Sequence, residues 1–174
     1  MRCLRYSIHM TVTTEHSVAA THSPQRLPEE LVESTLFLLK RLGFTAKGKS
    51  MSAYEEVGLH PYHFGVLIAV AEGSHATQGA IADSLGYDRG QLVGLLDELE
   101  ERSLIERKRD PKDRRRQLVQ LTPDGKRTLK ELRTLSNRLE DEFLAPLDEA
   151  QRAELHALLL RLAEKHEPRC APLT

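Results

Sequence analysis

The chain has no tryptophan, four tyrosines, four phenylalanines and two cysteines among its 174 residues. The cysteines, Cys3 and Cys170, stand at the two extreme ends. A disulfide framework needs more of them, placed to staple the core, so a reducing compartment is compatible and both thiols read as bystanders in tails. No apolar run approaches the roughly 20 residues that a membrane-spanning helix requires. Residues 1–23 scatter histidine and threonine without an apolar block, which reads as a solvated tail and not a secretory signal. The expectation is a cytoplasmic protein with no membrane partner. There is also no phosphate-cradling glycine loop, no H-E-x-x-H and no nucleophile elbow, so the chain does not read as an enzyme and no cofactor is expected.

What is present is charge, unevenly placed. The formal net charge of −1 argues at first against a polyanionic partner, but distribution matters more than the sum. Residues 107–116 hold seven Lys or Arg against two Asp, leaving the rest of the chain acidic. A basic prong on an acidic body suits a DNA reader with a small footprint.

Periodicity predicts mainly helix. Folded structure is expected from Leu27-Pro28-Glu29-Glu30, with Leu31, Thr35, Leu38, Leu39 and Leu42 on one stripe, and an end near residues 47–50. Residues 52–57 read as a short helical piece stopped by Gly58. Pro61 opens a helix that turns Phe64, Leu67, Ile68 and Ala71 inward. Thr77 is placed to cap a short helix with Ala80, Ile81 and Leu85 buried, and Gly86 to end it in the left-handed conformation. Asp88 caps the next helix, whose Leu92, Leu95, Leu96 and Leu99 form an i, i+3, i+4, i+7 stripe. Residues 104–109 and 117–121 alternate around Asp110-Pro111-Lys112-Asp113, a hairpin. Thr122 and Pro123 start a long helix over residues 123–143, and Leu155, Leu158, Leu159 and Leu162 mark another after Pro146. Residues 168–174 read as a loose tail.

Two units carry chemistry. A short helix, a glycine turn and a longer helix can brace one another so that the second enters the major groove by its N-terminal end. That end offers Arg89 and Gln91 to base edges or phosphates, while the acids at 97, 98, 100 and 101 face away from phosphate. Equally, Arg89 and Gln91 are ordinary solvated helix-start residues. The hairpin with Arg107, Arg109, Arg114, Arg115 and Arg116 can follow the backbone and insert a guanidinium into a narrow minor groove. Alone it would be a solvated turn; directly after a helix-turn-helix it is far more specific.

The stretch from Asp110 to Gly125, DPKDRRRQLVQLTPDG, resembles the wing signature of the MarR (multiple antibiotic resistance regulator) family, D-P-x-D-R-R followed by an apolar strand and L-T-x-x-G. Residues 95–105, LLDELEERSLI, are similar to that family's pattern at the end of its recognition helix, and the resemblance covers residues 27–164. It implies a mainly α fold: a winged helix-turn-helix with a two-stranded β-hairpin wing and terminal dimerisation helices. It also implies a homodimer on double-stranded DNA at a pseudo-palindromic operator and release by a small-molecule effector; the expected regulator is a repressor, with activation left open. The expected divisions are a tail (1–26), an N-terminal dimerisation region (27–57), the DNA-binding domain (58–122), C-terminal dimerisation helices (123–166) and a second tail (167–174). Arg114 and Arg115 match the paired wing arginines, and Asp113 their acidic neighbour, read as bracing the wing. Thr77, Gln78, Asp88, Arg89, Gln91, Arg107, Arg109 and Arg116 complete the expected DNA-binding set.

His60 and His63 have a spacing that can chelate zinc, but with few further ligands they read as polar helix-start residues, and no metal is expected. Residues 31–42 contain no cysteine, unlike peroxide-sensing relatives. Tyr54, Tyr62, His63 and Phe64 suit either a ligand cleft or ordinary core. The alternatives are a metal- or redox-responsive member of the same fold, or a winged helix used for protein contacts.

Overall fold

A computed structural model of the chain describes residues 26–73, 76–111, 113 and 116–170. The chain divides into two units, Met1–Leu38 and Leu39–Thr174. In the first, α1 (Glu29–Glu33) follows Pro28 and carries Glu29 and Glu30 in its first turn, where carboxylates meet unpaired N–H groups at the positive helix end. Ser34 is extended and stops it. The Ser34 hydroxyl accepts from the Phe37 amide at 3.3 Å and so starts α2 (Thr35–Glu56). The sequence predicts no break here; a serine that bonds a nearby amide competes with the helix ladder and makes one. Leu27, Leu31, Val32 and Leu36 are exposed.

The expected end of the helix near residues 47–50 is absent. α2 continues through Gly43 and Gly48, where an added Cβ would meet nothing within 4 Å. Glycine weakens an exposed helix position by about 1 kcal/mol but leaves its backbone hydrogen bonds intact. The chain turns instead at Gly58, with φ +69°.

His60 caps α3 (Pro61–Glu72): its Nδ1 accepts from the Tyr62 amide at 3.2 Å, and His63 Nδ1 accepts from the His60 amide at 3.1 Å. The inward face of α3 is His63, Val66, Leu67 and Val70. Phe64 and Ile68 are half-buried and Ala71 exposed, so the buried face is rotated from the expected one. Thr77 caps α4 (Gln78–Leu85) through a 3.2 Å bond from the Ala80 amide, Ala80 itself being exposed, and Gly86 ends the helix at φ +65°. Asp88 caps α5 (Arg89–Glu101), which buries Leu92, Leu95, Leu96 and Leu99 as predicted. Each such leucine contributes on the order of 2 kcal/mol of burial.

The hairpin is β2 (Ile105–Arg109) paired with β3 (Gln117–Leu121), Arg107 opposite Val119. A third strand unforeseen in the sequence, β1 (Ala76–Thr77), joins the other edge of β3. The sheet order is β1-β3-β2, all antiparallel, so the base of the wing is pinned to the residue that caps α4. Two residues carry too little alternation to be seen as a strand.

α6 (Pro123–Phe143) buries Leu129, Leu132 and Leu135. Its start explains L-T-x-x-G: the Thr122 hydroxyl donates to Ser103 O at 2.7 Å and accepts from the Gly125 amide at 3.0 Å. A Cβ on Gly125 would strike the Leu104 carbonyl, so the turn after α5 and the start of α6 meet only through a glycine. α7 (Glu149–His166) has no buried residue, leaving Leu158, Leu159 and Leu162 exposed. A short 3-10 turn, Pro168–Cys170, replaces part of the expected loose tail. Cys170 is exposed; Cys3 lies outside the described residues.

Candidate nucleic-acid interface

α4 and the β2–β3 wing meet along one polar groove of about 730 Å³, whose walls include Thr77, Gln78, Asp83, Arg109, Arg116 and Gln117. Arg109 lies opposite Gln117 in the hairpin register. The loop between them closes through Asp110 N–H donating to Arg116 O at 3.0 Å and Arg116 N–H donating to Asp113 O at 2.8 Å. Arg116 Nε also lies 3.5 Å from Asp113 Oδ2. Asp113 thus meets Arg116 through its backbone carbonyl and its carboxylate. Arg114 and Arg115 lie outside the described residues.

The capped N-terminus of α4 lines this groove. Arg89 shares a smaller depression with Gln78 and Gly79. Arg89 and Gln91 are exposed at the start of α5. Asp88 Oδ1 accepts from the Gly90 and Gln91 amides at 2.8 and 3.2 Å, so this carboxylate holds the helix start and only indirectly presents Arg89 and Gln91.

Arg107 is placed differently from the other arginines. Its side chain is 19% exposed and pairs with Asp97 at 2.5 Å and Glu100 at 3.4 Å. Its amide donates to Glu100 Oε1 at 3.1 Å. Sequence reasoning counted Arg107 within the basic run and read the acids of α5 only as a phosphate-averse end. The pairing needed knowledge that β2 runs back alongside α5.

Behind α5, His63 is buried, and its Nε2 lies 3.0 Å from Glu98 Oε2, off the N–H direction. Burial pushes the His63 pKa down, against the pull of Glu98. Among the described residues no group of three or more His, Cys, Asp or Glu is placed to hold a metal ion. Tyr54 is core: it is 2% exposed, with its ring 5.7 Å from that of Phe64. Tyr62 packs on Tyr87 at 5.4 Å.

A separate cavity of about 480 Å³ is walled by Val57, Leu59, Leu104, Leu132, Arg102 and Arg138, among others. Arg102 donates from Nη1 to Gly58 O at 2.5 Å, tying the end of α5 to the turn before α3. None of the four residues considered for a ligand cleft lines this space.

Residues 57–116 match the sequence profile of the MarR family. The chain is 32% identical over 129 residues to the protein proposed as transcriptional regulator for the hcr operon of Thauera aromatica, covering 70% of this chain and 78% of that protein. Its backbone is similar to that of the transcriptional repressor CouR bound to a 23-mer DNA duplex, with TM-score 0.71, 33% identity and coverage of 80% of this chain and 99% of CouR. It is also similar to CouR from Rhodococcus jostii RHA1 bound to p-coumaroyl-CoA, with TM-score 0.65, 29% identity and coverage of 78% and 96%. These relatives are transcription regulators, not enzymes. No helix among the described residues is long and apolar enough to cross a membrane.

Proposed function

The chain belongs to the MarR family of transcription regulators, and we propose that it is a homodimeric, sequence-specific repressor released from its operator by a small-molecule effector. The observation that carries the DNA reading is the polar groove in which the start of α4 and the wing arginines Arg109 and Arg116 face the same space. A duplex laid there meets helix N-termini and guanidinium groups on its backbone, and the exposed first turn of α5 on its base edges. In this reading Arg89 and Gln91 read bases, Thr77 and Gln78 set the helix start against phosphate, and Arg109, Arg114, Arg115 and Arg116 follow the backbone and minor groove. Asp113 braces the wing.

The dimer is supported by apolar surface without cover: α7 buries nothing and exposes three leucines. Residues 27–57 and 123–166 supply the contacts, and 58–122 the DNA-binding domain. The effector is supported by the cavity of about 480 Å³, whose walls combine Val57, Leu59, Leu104, Leu132 and Leu135 with Thr128, Thr134, Glu131, Arg102 and Arg138. Those walls suit a small molecule with an apolar body and polar ends, and CouR is a relative seen with p-coumaroyl-CoA.

Selection from random duplexes by the full chain tests the proposal. Expected are two inverted half-sites about 10 base pairs apart, centre to centre, matching a two-fold axis. Binding insensitive to salt, or no enrichment over scrambled duplex, would sink it and favour a protein-interaction module.

A further inference from the structure

Among the described residues from 39 onward, the large exposed apolar side chains have accounts already given, with one exception. Leu39, Leu42, Phe44, Leu158, Leu159 and Leu162 belong to the regions proposed for the dimer, Val57 walls the cavity of about 480 Å³, and Tyr62 packs on Tyr87. Val93 stands apart, 40% exposed on α5.

Its place is specific. Val93 follows the fully buried Leu92 and lies four residues, one helical turn, beyond Arg89. Positions i and i+4 share a helix face, so Val93 stands on the same side as the arginine proposed to read bases. A β-branched side chain brings no advantage at an exposed helix position. Beside it, a Cβ on Gly94 would meet nothing within 4 Å, so the surface next to Val93 is open.

We propose that Val93 is a specificity-determining residue, whose methyl groups meet the C5-methyl of a thymine in the major groove. The inference rests on the DNA-binding reading above. Valine can neither donate nor accept a hydrogen bond, so the only base-edge group it can favour is the one apolar group the major groove displays, and that is the thymine methyl. Arg89, one turn nearer the helix start, supplies the polar contact to a neighbouring base.

The test replaces each thymine of a selected duplex, one at a time, by deoxyuridine, which keeps the base pair and removes only that methyl. With the wild-type chain, one position per half-site should lose about fourfold in affinity, the value of one buried methyl. With Val93→Ala the parent duplex should bind about as weakly, and deoxyuridine at that position should cost nothing more. Val93 is exposed, and alanine is the better helix former, so the variant's thermal midpoint should not fall. A deoxyuridine series without any affected position, or an effect that persists in Val93→Ala, overturns the assignment while leaving DNA binding intact. A wild-type chain that enriches no duplex at all overturns both.

Discussion

The guanidinium of Arg107 on β2 is held by the carboxylate of Asp97 on α5 at 2.5 Å, with Glu100 3.4 Å away on the same helix. Wing and helix are thus tied by charge. Arg107→Ala should weaken duplex binding by loosening the wing, yet leave the salt dependence as it was, because no phosphate contact is lost. Arg107→Ala and Asp97→Ala should be non-additive in thermal denaturation, with coupling of about 1 kcal/mol for a pair half in solvent. A log–log salt slope lowered by about 0.9 in Arg107→Ala would instead make Arg107 a phosphate contact, as its place in the basic run first indicates.

Arg109 and Arg116 should behave in the opposite way. Each lines the polar groove, and alanine at either should leave the melting temperature in place while reducing the salt slope by about 0.9. Asp113→Ala should weaken binding despite the favourable charge change, since Arg116 loses its partner at 3.5 Å. Tighter binding by Asp113→Ala, measured across a salt series, would remove the bracing role.

Two turn positions should respond oppositely to substitution. Gly125→Ala places a methyl on the Leu104 carbonyl and should cost about 3 kcal/mol, the upper end for overpacking. Ser103 adopts φ +57° without being glycine, so Ser103→Gly should stabilise the fold by about 1 kcal/mol. Urea denaturation of both variants checks the pair; a neutral Gly125→Ala would mean that α6 can shift away.

Burial holds His63 below the ordinary histidine value of 6.5. The unfolded chain therefore takes up a proton at this site more readily than the folded one. The corresponding stability is complete above pH 6.5 and declines as pH falls below it. His63→Gln should have lower stability at pH 7.5 but a shallower loss between pH 7 and 5. Thermal midpoints across that range decide, and parallel curves for the two proteins would remove His63 from the acid response.

α7 offers the cleanest test of assembly. Leu159→Glu replaces a leucine that is 41% exposed in the single chain, so a monomer would tolerate it. If α7 supplies the dimer contact, sedimentation should show a shift from dimer to monomer at micromolar concentration with the secondary structure preserved. A monomeric wild-type chain would end the dimer proposal directly.

Much of this was local and so legible in the amino-acid order. Thr77, Asp88 and Thr122 act as caps because a short side-chain oxygen reaches amides two or three residues on, and Gly86 takes a left-handed turn that few other residues accept. The leucine stripe of α5 needs only the helical repeat, and the wing only its turn and its basic run. Contacts between distant segments were decided by packing. The same basic residue type became a groove wall at Arg109 and an internal tie at Arg107, although residues two apart on a strand share a face: Arg107 lies within reach of Asp97 and Glu100 of α5, and Arg109 one step along lies beside the start of α4. Likewise His63, polar and near a helix start, went into the core because α3 turned it toward Glu98. Periodicity can name a helix, but the rotation of that helix about its axis is chosen by the neighbours it packs against.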